Sequence, residues 1–81
     1  MLQELNDKWD EILFTLKNEY EITDVSFKTW IEPITVHSIE DDIITLVAHT
    51  SNVGLNIINK KYREAFIVVI SEALNHEFDV Q

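Results

Sequence analysis

Residues 26–48 read SFKTWIEPITVHSIEDDIITLVA, and the change of hydrophobic period inside this stretch decides the fold. Val25, Phe27, Trp30 and Ile31 supply the apolar side chains of a short helix. That helix must stop near Ile31, because Pro33 disfavours helical geometry at Glu32. Beyond the proline, Ile34, Val36 and Ser38 alternate with Thr35, His37 and Ile39, the period of a strand. Glu40, Asp41 and Asp42 form a polar turn, and Ile43–Ala48 is β-branched and apolar. The expectation is a helix over 24–31, capped by Thr23 or Asp24, and a hairpin with strands over 34–39 and 43–48. No Asn-Gly pair marks the turn, so its type stays open.

Upstream, Leu2, Leu5, Trp9, Ile12, Leu13, Leu16 and Tyr20 recur at spacings of three and four and fill one stripe of a helix over 3–20. Asp7, Asp10 and Glu11 sit early, where they suit the helix dipole. Phe14 falls opposite the stripe. Downstream, Thr50 or Ser51 caps a long helix over 52–75, with Leu55, Ile58, Tyr62, Ala65, Phe66, Val69 and Ala73 as its main stripe. Gly54 in the first turn weakens it by about 1 kcal/mol relative to alanine, which also allows a start just after Gly54. Val53, Ile57 and Val68 project away from the stripe, toward another layer or a partner. Residues 77–81 complete the order with a short strand. Helices covering a small, mostly antiparallel sheet make a two-layer α+β domain.

The chain has 81 residues, one Gly, one Pro and no cysteine. That is room for a single domain over 1–81 with short loops, held by packing rather than by disulfides or thiolate metal sites. The first residues are amphipathic and acidic, unlike a signal peptide, and the longest apolar run, Ala65–Ile70, is too short to span a bilayer. A soluble, cytoplasmic protein without membrane contact is expected. Six basic residues against fifteen acidic give a net charge of −9, which opposes binding to phosphate backbones. Lys60, Lys61 and Arg63 are the one local basic cluster; Glu64 interrupts it, and a solvated helix face is its simpler reading.

Chemistry is sparse. His37, His49 and His76 stand apart, with no helical metal-ligand spacing. Asp41 and Asp42 are adjacent carboxylates, but on an exposed turn they lack the enclosing pocket that shifts a pKa for acid–base work. A single glycine excludes a phosphate-cradling loop and the G-x-x-G clamp of KH-type single-strand binders. No catalytic residue, metal or cofactor is expected. Trp30, with Phe27 three residues before it, reads as core; Trp9 fits a core or an interface equally well.

The run Trp9-x-x-Ile12-Leu13-x-x-Leu16, followed by Ser26-Phe27-Lys28-Thr29-Trp30-Ile31-Glu32-Pro33-Ile34, resembles the amino-terminal domain of the bacterial replication initiator DnaA. The likeness continues through the acidic turn, Ile44–Ala48 and Lys60-Lys61-Tyr62. It implies a KH-like fold of order α-α-β-β-α-β and a protein-binding hub rather than an enzyme. The family's domain self-associates through its first helix. It binds the replicative helicase and initiation regulators through a patch on its second helix and the start of its third. By position, Trp9 and Ile12 fall on the self-association surface, and Ser26 and Val53 on the partner patch, with Ile57 one turn on. Partners are then the domain itself, a DnaA-type initiator, helicase or regulators, with nucleic acid weak or absent. Rival readings are a single-stranded nucleic-acid binder on a KH-like sheet and a structural dimerisation domain. The family's Ala-Pro-Asn-x-Phe before the third helix is here Ala48-His49-Thr50-Ser51-Asn52-Val53, longer by one residue, without the proline and with Val for Phe.

Overall fold

A computed structural model describes residues 1–81 throughout. The middle of the first helix's stripe, Leu5, Ile12, Leu13 and Leu16, is buried as its spacing predicts, Trp9 is half-buried, and Leu2 and Tyr20 at its ends are exposed; the helix comes in two pieces, α1 (Leu2–Asp7) and α2 (Trp9–Glu19). Lys8 interrupts it at φ −97°, ψ 1°, its N–H shared between the carbonyls of Glu4 and Leu5 at 3.2 Å each. A shared N–H of this kind is the usual sign of a tightened turn. Lys8 Nζ reaches across to donate to the Ala73 carbonyl at 3.2 Å, one of the last-turn carbonyls that a helix leaves without an internal partner.

The helix expected over 24–31 also divides. Thr23 caps it, its hydroxyl accepting from Ser26 N–H at 3.2 Å, and α3 (Asp24–Ser26) opens into a π-helical turn, Phe27–Ile31. There Glu32 N–H bonds the Phe27 carbonyl at 2.8 Å, five residues back. The widened turn leaves Ile31 and Ile34, on either side of Pro33, both in the core.

The hairpin follows as β1 (Thr35–Glu40) and β2 (Ile43–Val47). Its two-residue loop places both Asp41 (φ 49°) and Asp42 (φ 62°) in the left-handed region, the backbone that matches strand twist in a tight hairpin. Aspartate tolerates this better than most side chains. Strict alternation along β1 is broken between Val36 and Ser38, where His37 is bulged out of register. The bulge is what lets Val36 and Ile39, an odd number of residues apart, both pack on the core.

The long helix α4 (Asn52–Leu74) is capped by Ser51, whose hydroxyl accepts from Gly54 N–H at 3.2 Å. It therefore starts before Gly54, not after it. A Cβ at Gly54 would run into the Thr50 hydroxyl, so the glycine permits the close approach of the capping loop. The helix ends on Asn75 in left-handed geometry, with His76 N–H returning to the Ser71 carbonyl and Asn75 N–H to that of Glu72. This is the Schellman arrangement.

The last strand, β3 (Asp79–Val80), is shorter than the expected 77–81 and lies parallel to β2, giving the sheet order β1-β2-β3. Gln81 still exchanges backbone bonds with Ile44 and Leu46. Asp79 N–H bonds the Asp42 carbonyl in the hairpin turn and Gln81 bonds to β2, so the backbone of Val80 faces outward. Arg63 closes that edge: its Nε donates to the Val80 carbonyl at 2.8 Å and its Nη2 to Asp79 Oδ1 at 2.7 Å. The same Asp79 oxygen accepts Val80 N–H at 2.8 Å. Strand edges left open invite pairing with other chains. Phe66, Leu5, Leu16, Ile31, Ile34, Ile44 and Ile70 fill the centre between the helices and the sheet, and no polar side chain is buried. The two-layer α+β architecture is as expected.

Candidate protein-binding surface

Helix α4 has apolar residues on more than one side. Ala65, Phe66, Val69, Ile70 and Leu74 are buried along the inner side. Val53, in the first turn, is 70% exposed, and Val68 is also on the surface. Ile57, one turn after Val53 and on the same side, is half-buried yet outside the core cluster. Val53 and Ile57 thus form an apolar pair on one side of the helix, Val53 in solvent and Ile57 partly covered, with the exposed residues Lys60 and Lys61 one turn on.

Ser26 lies on α3, half-buried, with its N–H held by Thr23. Its neighbour Val25 is the most exposed large apolar residue, at 76%. Val25 is one of the four apolar residues of the helix expected over 24–31. At 100° per residue it falls nearly opposite Phe27, Trp30 and Ile31, and that spacing was the signal for its exposure.

The two residues assigned to self-association face the other way. Trp9 is half-buried and stacked on Phe66, with ring centroids 6.0 Å apart and planes 12° from parallel, and its Nε1 donates to the Ile34 carbonyl at 3.1 Å. Ile12 is 2% exposed. Both belong to the stripe that α1 and α2 bury, so neither protrudes. On the outer side of α2 the apolar side chain in solvent is Phe14, 65% exposed.

Electrostatics add little that is chemical. Lys17 Nζ stands 2.7 Å from Asp24 Oδ1. The hydrogen bond and charge of Lys17, helped by the charge of Lys28, hold the Asp24 carboxyl below the usual range. Arg63 is engaged at the edge of β3, so the basic cluster with Lys60 and Lys61 loses its guanidinium. His37 and His49 are exposed; His76 Nε2 lies 2.8 Å from Asp42 Oδ1, tying α4 to the hairpin turn. No three metal-ligating side chains converge, and no helix is long and apolar enough to cross a membrane. A groove of about 240 Å³ lies where α2 meets α4, lined by Lys8, Glu11, Ile12, Val69 and Glu72 among others.

The family described as the DnaA N-terminal domain matches residues 6–75. The chromosomal replication initiator protein DnaA of Lachnoclostridium phytofermentans is 36% identical over 95% of this chain. The chain spans 18% of that relative's length.

Proposed function

The chain belongs to the DnaA N-terminal domain family, and from that premise we propose that it is a protein–protein interaction module of a replication initiator. The α3 turn and the first turns of α4 bind its partners. The observation that carries this reading is Val53, in solvent at the start of α4 with Ile57 one turn behind it. Val25 and Ser26 supply the second part of the patch. Apolar residues one turn apart on the same helix side, as Val53 and Ile57 are, can serve a docking surface, whereas single exposed ones need no explanation. Other replication or regulatory proteins, the replicative helicase among them, are the partners proposed, and the chain performs no catalysis. Self-association is proposed along the outer side of α1 and α2, with Phe14 as the contact and Trp9 and Ile12 holding the helix from beneath.

The test immobilises the chain and offers it a DnaA-type initiator and a replicative helicase, with Val53→Glu and Val25→Glu run in parallel. Both sites are in solvent, so the variants should keep the wild-type melting temperature while losing capture. Equal capture by wild type and both variants would sink the assignment of the patch.

A further inference from the structure

We infer that the chain self-associates head to tail, the outer side of α2 in one copy docking antiparallel on the start of α4 in the next. The inference rests on the roles proposed for Phe14 and for the Val53 patch, and joins the two. Phe14 is 65% exposed on α2 and Val53 is 70% exposed on α4, so each surface offers the other an apolar contact. Charge selects the pairing. Of the six basic residues, Lys8 is engaged by Glu4 and the Ala73 carbonyl, Lys17 by Asp24 and Arg63 by Asp79. Lys28, Lys60 and Lys61 enter no ion pair. Lys60 and Lys61 lie one turn beyond Ile57, on the Val53 side of α4. In a chain of net charge −9, that is where an acidic surface of a second copy meets free positive charge.

The outer side of α2 is such a surface. Asp10 and Glu11 are exposed and lie one turn before Phe14. With the helices antiparallel, a Phe14 seated between Val53 and Ile57 sets Asp10 and Glu11, one turn back, against Lys60 and Lys61, one turn on. Each step is about 5–6 Å of helix. A parallel alignment sets Lys17 against those lysines instead. A two-fold pairing of the α2 side with itself sets acids against acids, because Leu2–Glu19 holds five acidic residues and two lysines that are already engaged. Glu64, one turn past Lys60 and Lys61, carries the wrong sign for a longer contact. The interface is therefore about two helical turns long, small enough to be weak and reversible. Because its two surfaces differ, copies add in a row rather than closing as an isologous pair. A copy seated on Val53 also competes with any other partner of that patch.

The experiment measures the mass of the whole chain by sedimentation equilibrium up to millimolar concentration, with Phe14→Glu and Val53→Glu run alone and mixed in equal amounts. Both sites are in solvent, and wild-type melting temperatures check that the variants fold. Wild type is expected to grow past two chains and each variant to stay single. The mixture is expected to form pairs and nothing larger, because each variant supplies the surface that the other lacks. Adding Lys61→Glu to the Phe14→Glu chain should weaken the mixed pair at least about fivefold, and Asp10→Lys on the Val53→Glu chain should restore it. Association that survives Phe14→Glu would remove Phe14 as the self-association contact, and this inference with it. Loss in Phe14→Glu without loss in Val53→Glu, or no recovery in the mixture, would overturn the head-to-tail docking and leave Phe14 as the contact of a symmetric pair. A wild-type chain that stays single throughout would overturn both.

Discussion

Trp9 combines a ring stacked on Phe66 with an indole N–H given to the Ile34 carbonyl, so one side chain ties the first helix to α4 and to the entrance of β1. Trp9→Phe keeps the ring and removes the donor; urea denaturation should show a loss of about 1 kcal/mol. Trp9→Ala removes both and leaves a cavity, with an expected loss of about 3 kcal/mol. Loss of binding in Trp9→Ala would therefore report on folding before it reported on a surface. Asp24 offers a sharper electrostatic test. Its pKa is lowered in the fold, chiefly by its hydrogen bond from Lys17. A carboxyl with a depressed folded pKa lends stability above its unfolded value, near about 3.9, and loses it as the pH falls through the folded one. In Lys17→Met, carbon-detected NMR titration of Asp24 should find its pKa raised toward the ordinary range, and the acid limb of the stability curve should flatten. An unmoved Asp24 would assign the shift elsewhere.

The elements were legible where period and capping agreed, and illegible where one inserted residue changed the geometry. Thr23 and Ser51 cap the helices as their side chains predict. The break at Lys8 and the π turn after Ser26 left no mark in the hydrophobic spacing, because each changes the backbone locally while keeping the buried set intact, whereas the bulge at His37 overturns the expected alternation by bringing Ile39 to the core beside Val36. The hairpin turn is a similar case. Asp41-Asp42 lacks the glycine that left-handed backbone favours, yet Glu40 and Ile43 pair and force a two-residue loop. Asp41→Gly should relieve part of that strain, about 1–2 kcal/mol, against a glycine entropy cost of about 0.5–1 kcal/mol. Thermal unfolding should show a small net gain, and a loss would mean that the Asp41 side chain holds the turn.

For the whole molecule, charge is the dominant unbalanced term. Fifteen acidic residues meet six basic ones, and the four ion pairs present all join side chains that are partly or fully in solvent. Exposed pairs contribute little, whereas self-repulsion at net charge −9 acts across a domain only 30 Å in its longest dimension. Raising the salt from about 0.02 to about 0.5 M shortens the screening length to a few ångströms and should raise the melting temperature. A fall would show that the exposed pairs outweigh the repulsion.

The sequence by itself determined the layer order, the buried stripes of the first and last helices, the hairpin and the family, because burial repeats with the period of each element and survives small backbone irregularities. It also marked Val53, Ile57 and Phe14 as off-stripe. Only the tertiary structure decided that Trp9 packs on Phe66 and the Ile34 carbonyl instead of protruding, and that Arg63 serves the edge of β3. A helical period says which residues share a side; which side meets the rest of the chain is set by packing between elements distant in sequence.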